Sequence, residues 1–342
     1  MAMSEADSEV TGVEGAQDGA HQAPSRGLLL AGVGIVWMAG MLWSARATIT
    51  GRHDAEMEVT STAYAMPGAV SASLVAGAAV ALAVLASATR GGRAPGVTVR
   101  FVIATGTGLA IGLLGALTII TINTDAWLYA VVGGTVAAAA TIGGALAGFR
   151  YRRVTAAVCW GAVTVFVVGF VLTVLQDALL PILGSGDTAA SRTSAATWFG
   201  LLQAVLGGLA CGIVAYRVLR RARRRSGGVD LGWPQYALAG AGPGLLLVVG
   251  EALTRTAGSR VLELAGKVSE LELTVQQMLS GSRLNNGLVV LFVGAFTAII
   301  AVGRTLSPAP ADAGTGAPAA PAGPDDVERA DEPQTVTARQ DD

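Results

Sequence analysis

Apolar residues in this chain gather into eight long runs, at about 27–44, 68–88, 101–122, 127–148, 155–179, 196–216, 236–253 and 287–303. Charged residues fall almost entirely between them. At 1.5 Å per residue, most of these runs can cross a hydrocarbon core of about 30 Å. The first, seventh and eighth are near the lower limit. The pattern predicts an all-α fold, a polytopic integral membrane protein with a bundle of eight transmembrane helices over residues 27–304. Residues 1–26 are acidic and rich in Gly and Ala, and residues 305–342 are rich in Pro and Ala with an acidic end. Neither has an apolar period, so both are expected to be disordered tails.

Arginine sets the expected orientation. Fourteen basic residues flank the runs on one side, concentrated after runs two, four and six; seven lie on the other side. The positive-inside rule then puts both termini in the cytoplasm of a cell membrane. The bias repeats at three successive loops, which supports the count of eight. Ala45-Arg46-Ala47 looks like a small-residue cleavage site after run one. The preceding stretch is long and acidic, and Arg46 interrupts the site, so a retained span is expected. Trp43, Trp127, Trp198 and Trp233 fall at predicted span ends, where indole rings prefer the interface.

Composition agrees. Charged residues make up 14% and apolar residues 52%, against about 25% charged in a soluble domain, and mean hydropathy is +0.56. The 46 glycines suit close helix packing. Spaced pairs recur: Gly108 and Gly112, Gly144 and Gly148, Gly208 and Gly212, Gly240 and Gly244. In a Gly/Ala-rich chain, chance accounts for any single pair. Cys159 and Cys211 lie inside apolar runs and read as small packing residues. With only His21 and His53, no histidine-built metal site is expected. A net charge of −1 gives no reason to expect nucleic acid as a partner. No nucleotide, dinucleotide or metalloprotease motif stands at a usable position, so no cofactor and no catalytic residue is assigned.

One stretch departs from the span pattern. Between Ser259 and Ser280, Val261, Val268 and Val275 repeat every seven residues, and so do Leu264, Leu271 and Met278. This predicts an amphipathic heptad helix outside the membrane over 259–280, with Ser259 as N-cap and Gly281 as stop. Glu272 falls inside the apolar arc, which a lipid-facing stripe tolerates poorly and a protein seam accepts. The six seam residues are therefore partner-interface candidates, for packing on this protein's own outer face, for a second copy, or for another envelope protein.

Ionisable groups inside spans are functional candidates by default, and few are present. Glu251 and Asp177 fall near the outer ends of spans seven and five, where solvation or pairing with an outer arginine such as Arg255 accounts for them. Asp125 is in a short outer loop. Gln203 lies deep in span six. Gly240-Ala-Gly-Pro-Gly244 weakens span seven around Pro243; a break there is a device transporters use to build substrate sites, and a simple proline kink satisfied by neighbouring helices is the commoner outcome. Glu251, Pro243, Gln203 and Asp177 are the transport candidates. Arg217, Arg220, Arg221, Arg223, Arg224 and Arg225 form a juxtamembrane cluster able to bind lipid headgroups. Arg52-His53-Asp54-Ala55-Glu56 loosely resembles the first outer loop of membrane glycosyltransferases that use lipid-linked sugars; the resemblance implies an acidic general base on the outer face. It covers five residues without a fixed motif, and a solvated polar loop accounts for them.

These features lead first to a non-catalytic scaffold, assembly factor or regulator in the envelope. A permease for a small or lipidic solute comes second, and an outer-face transferase a distant third. The orientation is directly testable. A reporter fused after Arg225 is expected to read cytoplasmic and one fused near Gly281 extracytoplasmic; the reverse pair would overturn the assignment.

Overall fold

The computed structural model describes residues 27–48, 55–89, 96–122, 127–149, 151–225, 232–265 and 270–304. For residues 55–61, 63, 128, 258–265 and 270–277 it describes the backbone alone. Both tails, Asp54, Asp125 and Val268 lie outside the described residues. Nine helices are described: α1 (Gly27–Thr48), α2 (Ala55–Ala88), α3 (Val97–Ile120), α4 (Trp127–Gly148), α5 (Arg152–Val174), α6 (Gln176–Ile182), α7 (Ala189–Arg225), α8 (Trp233–Ala265) and α9 (Glu270–Gly303). All but α6 are long and apolar enough to cross a membrane. The chain is a multi-pass, all-helical membrane protein.

Its surface is that of a protein in lipid. Large apolar side chains such as Val36, Leu114, Phe170, Phe292 and Phe296 are exposed, while the core is built largely of alanine, with leucine and valine. Many threonine hydroxyls inside the bundle are satisfied locally, although the hydroxyls of Thr105 and Tyr216 are buried without a partner. Thr107, Thr135, Thr141, Thr164 and Thr297 each donate to the carbonyl four residues earlier, at 2.7–2.8 Å. Without water, a polar group must find its partner within the protein.

Three expectations are corrected. Span five ends at Val174, and the rest of that apolar run turns at Leu175 into the separate helix α6. A run of apolar residues has no polar marker where its helix breaks. Span seven is not broken: α8 continues through Pro243. The buried proline ring sits where Gly161 of α5 has no side chain; a Cβ there would come within 2.6 Å of it. The last membrane helix begins well before residue 287, because α9 starts at Glu270. Of the segment read as one heptad helix, residues 259–265 end α8 and residues 270–280 begin α9, with 266–269 outside the described residues.

The spaced glycines are not chance. A Cβ at any of Gly108, Gly112, Gly144, Gly148, Gly208, Gly212, Gly240 or Gly244 would overlap or press on a neighbouring helix. Their contacts also disclose an internal repeat. The Ala140 carbonyl of α4 sits against both Gly77 of α2 and Gly108 of α3, and the Gly294 carbonyl of α9 sits against both Gly212 of α7 and Gly240 of α8. On one side Gly108 meets Gly144 as Gly240 meets Ala298. On the other Gly112 meets Ala137 as Gly244 meets Leu291. The numbering offset is constant within each helix pair. Thus α1–α4 and the membrane helices α5, α7, α8 and α9 form two four-helix units, with the same sidedness because four crossings separate them. The sequence carries a trace of this in Gly108-Leu-Ala-Ile-Gly112-Leu-Leu and Gly240-Ala-Gly-Pro-Gly244-Leu-Leu.

The join between units is not symmetric. α8 packs on α2 and α4, whereas among the described residues α3 packs on neither α7 nor α9. On the other side of the join, Trp37 of α1 meets Phe166 of α5 with ring centroids 4.6 Å apart.

The glycine contacts predict a sharp contrast. Gly77→Ala should overlap the Ala140 carbonyl and cost about 1–3 kcal/mol, read as a lower melting temperature in detergent. Gly40→Ala, on an exposed helix position with no neighbour within 4 Å, should be neutral or slightly stabilising.

Candidate functional site

A cavity of about 460 Å³ opens where the two units meet, lined from α1, α2, α5, α7, α8 and α9. That volume lies in the range of small-molecule sites. Its wall is mostly apolar, with Trp37, Phe166 and Phe170 on the α1/α5 side and Pro243, Leu246 and Leu247 on the α8 side. Polar groups are few and grouped. Ser71, Gln203 and Asn286 line it, and Glu251 and Arg283 stand at one end. Glu251 is two turns past Pro243, roughly 12 Å along α8 at 1.5 Å per residue. It therefore sits toward the end of the bundle opposite the Arg217–Arg225 cluster.

Glu251 is the hub of that end. Its side chain is 4% exposed, although it is ionisable. Ser280 donates a short hydrogen bond to its Oε1, and Arg255, one turn on in α8, approaches the same oxygen at 3.4 Å. The Arg255 Nε also donates to the Ser280 hydroxyl at 2.6 Å. From α9, an Arg283 terminal nitrogen lies 3.9 Å from Oε2. A buried carboxylate needs such partners because transfer from water is costly. The group ties α8 to α9 at the mouth of the cavity.

Gln203 lies deeper. Its amide occupies the space left by Gly169 of α5, where a Cβ would come within 2.6 Å of Nε2. Neither Gln203 nor Asn286 makes a side-chain hydrogen bond among the described residues, so their amides remain available in the cavity wall. The indole N–H of Trp37 is also buried without a partner.

Three of the four transport candidates are brought together: Glu251, Pro243 and Gln203 line one cavity. Asp177 is exposed on α6 and does not. Pairing of Glu251 with Arg255 is observed, but its solvation is not. Sequence reasoning missed Arg283 and Asn286 because they precede the apolar part of α9 and resemble loop residues. It missed Trp37 and Phe166 because an aromatic residue in a span carries no mark of what it faces. The repeat supplies such a mark. At the α3 places matching Pro243 and Glu251 stand Ile111 and Ile119. The two departures on α8 are thus cavity residues.

The other candidates lie elsewhere. The arginine cluster occupies the last turns of α7, where cations oppose the helix dipole favourably. There Arg217, Arg220, Arg221, Arg224 and Arg225 surround a shallow basic recess with Tyr216, and the Arg220 guanidinium lies 5.7 Å from that ring. Of the heptad residues, Val261 and Leu264 fall on α8, and Leu271, Val275 and Met278 on α9. Only the Met278 side chain is described, and it is 73% exposed. Cys159 and Cys211 are buried and free, as packing residues. Glu56 falls on the first turn of α2, with its side chain outside the described residues.

No protein-family model matches this chain, and no curated protein or solved structure matches it.

The hub predicts a measurable coupling. In a double-mutant cycle of Glu251→Gln and Ser280→Ala, the two changes should be non-additive by about 1–2 kcal/mol in unfolding free energy. Strict additivity would mean that the Ser280 bond contributes nothing to holding α8 on α9.

Proposed function

We propose that this chain is a permease of the cell membrane that carries a lipid-like amphiphile through the cavity between its two units. The observation that carries the reading is the cavity itself, largely apolar in depth, with unpaired amides in its wall and a charged hub at one end. That is the polarity gradient of an amphiphile rather than of an ion. Placement at the join of two repeated units supports it, because substrate sites of repeat-built transporters lie at such joins. So does the asymmetry of the repeat, which places Pro243 and Glu251 on α8, a helix that packs across the join on α2 and α4. With the arginine-rich ends inside, both termini are cytoplasmic and the hub opens toward the outer face.

The scaffold reading rests on the scarcity of charge within the spans, the lack of catalytic motifs and the heptad, five of whose six seam side chains lie outside the described residues. The cavity therefore carries the proposal.

The test is transbilayer movement. Vesicles containing the purified full chain should translocate a fluorescent lipid reporter, read as reporter made accessible to an impermeant quencher. Ala204→Trp, which fills the cavity, should slow this at least tenfold, and Gln203→Leu should slow it without lowering the melting temperature. Rates equal to protein-free vesicles for wild type, or full activity in Ala204→Trp, would sink the proposal.

A further inference from the structure

A second space adjoins this cavity. A groove bounded by Leu28, Leu29, Val33 and Val36 of α1 and Val163 and Val167 of α5 runs toward the opposite end, with walls that are apolar apart from the Trp37 indole. Leu28, Leu29, Val36 and Val167 are exposed, so the groove opens on the lipid-facing surface. Trp37 and Phe166 line both spaces. Trp37 stands roughly 15 Å from the start of α1 at 1.5 Å per residue, near the middle of a membrane. The polar mouth, the cavity and the apolar groove thus lie in order along the bundle, with the aromatic pair as the wall common to cavity and groove.

The charges at the mouth are unequal. Arg255 and Arg283 both approach Glu251. One carboxylate cannot neutralise two guanidiniums; of the three, Glu251 and Arg283 line the cavity, while Arg255 is half exposed and stands beside them outside its lining. Among the described side chains, this group of one carboxylate and two guanidiniums carries one net positive charge. Arg283 is its loosely held member, with its closest nitrogen at 3.9 Å from the carboxylate. A guanidinium matches an oxyanion by paired hydrogen bonds.

We propose that the occupant is an anionic, phosphate-headed lipid. Its phosphate lies at Arg283 and Arg255, and its hydrocarbon chain passes the Trp37–Phe166 pair into the groove between α1 and α5. The unpaired amides of Gln203 and Asn286 hold the uncharged part of the headgroup. The Trp37 indole N–H donates at the junction where head and chain meet. The aromatic pair is the place where the cavity is entered from the bilayer. This rests on the cavity being the ligand site, as proposed above, and adds the class of ligand and its route.

The experiment uses the purified full chain in detergent micelles and reads quenching of Trp37 fluorescence, taken as the difference between the wild type and Trp37→Phe. The probes are phosphatidylglycerol and phosphatidylcholine carrying brominated chains. Phosphatidylglycerol should quench at about five- to tenfold lower concentration. Arg283→Gln should remove that preference while leaving quenching at high lipid, and Arg283→Lys should restore part of it. Gly32→Leu, which fills the groove at a position with no neighbour within 4 Å, should weaken quenching by both lipids.

Equal quenching by the two lipids would overturn the anionic headgroup. Absence of Trp37 quenching, or full quenching in Gly32→Leu, would overturn the chain's path. Displacement of the lipid by inorganic phosphate at equal concentration would identify a soluble anion as the ligand and overturn the lipid assignment. Selective quenching with no lipid translocation in vesicles would sink the permease reading and leave this one. Translocation without headgroup preference would do the reverse.

Discussion

Close approach of helix backbones at glycine is the constraint on which this structure depends. In a bilayer, apolar side chains gain little by leaving lipid for protein, so helices associate through packing and local polar contacts. Here the tightest packing is made twice, by a carbonyl on one helix lodged against glycines of two others. Ala140 and Gly294 supply the carbonyls, and Gly77, Gly108, Gly212 and Gly240 supply the space. Each three-helix cluster is fixed by a contact that no larger residue allows.

The join between the two clusters need not repeat their internal contacts. It is closed on one side by α8 against α2 and α4 and on the other by Trp37 against Phe166. Between these closures lies the cavity. The residues that would be awkward within a tight cluster, Pro243 and Glu251, are placed at this join. Pro243 is accommodated by the missing side chain of Gly161. Glu251 is accommodated by Ser280, Arg255 and Arg283. Two tightly packed clusters flanking a mostly apolar cavity with a few polar groups are a physical basis for a site that exchanges its contents.

Much of this was legible in the chain. The eight spans follow from apolar runs long enough to cross a bilayer, and only their limits moved. Those limits moved where the signal is weakest. The break at Leu175 lies within unbroken hydrophobicity, and the start of α9 lies among polar residues that resemble a loop. The glycine spacing was visible, but composition alone could not separate contact from chance. Glu251, Gln203 and Pro243 stood out by residue type, whereas Trp37, Phe166 and Asn286 did not. Their importance is positional, and position across the bundle is not written in local sequence.

The sequence by itself determined that this is an all-helical, multi-pass membrane chain, because the cost of burying backbone polar groups in lipid leaves long apolar helices as its one solution. Tertiary structure alone decided that α1–α4 repeat in α5 and α7–α9, and that α8 continues through its proline. It also decided that Glu251 is a buried hub rather than a solvated end. Each of these depends on which helix faces which. That is set by contacts between residues far apart in the chain, where a glycine on one helix makes room for a carbonyl, a proline or an amide on another.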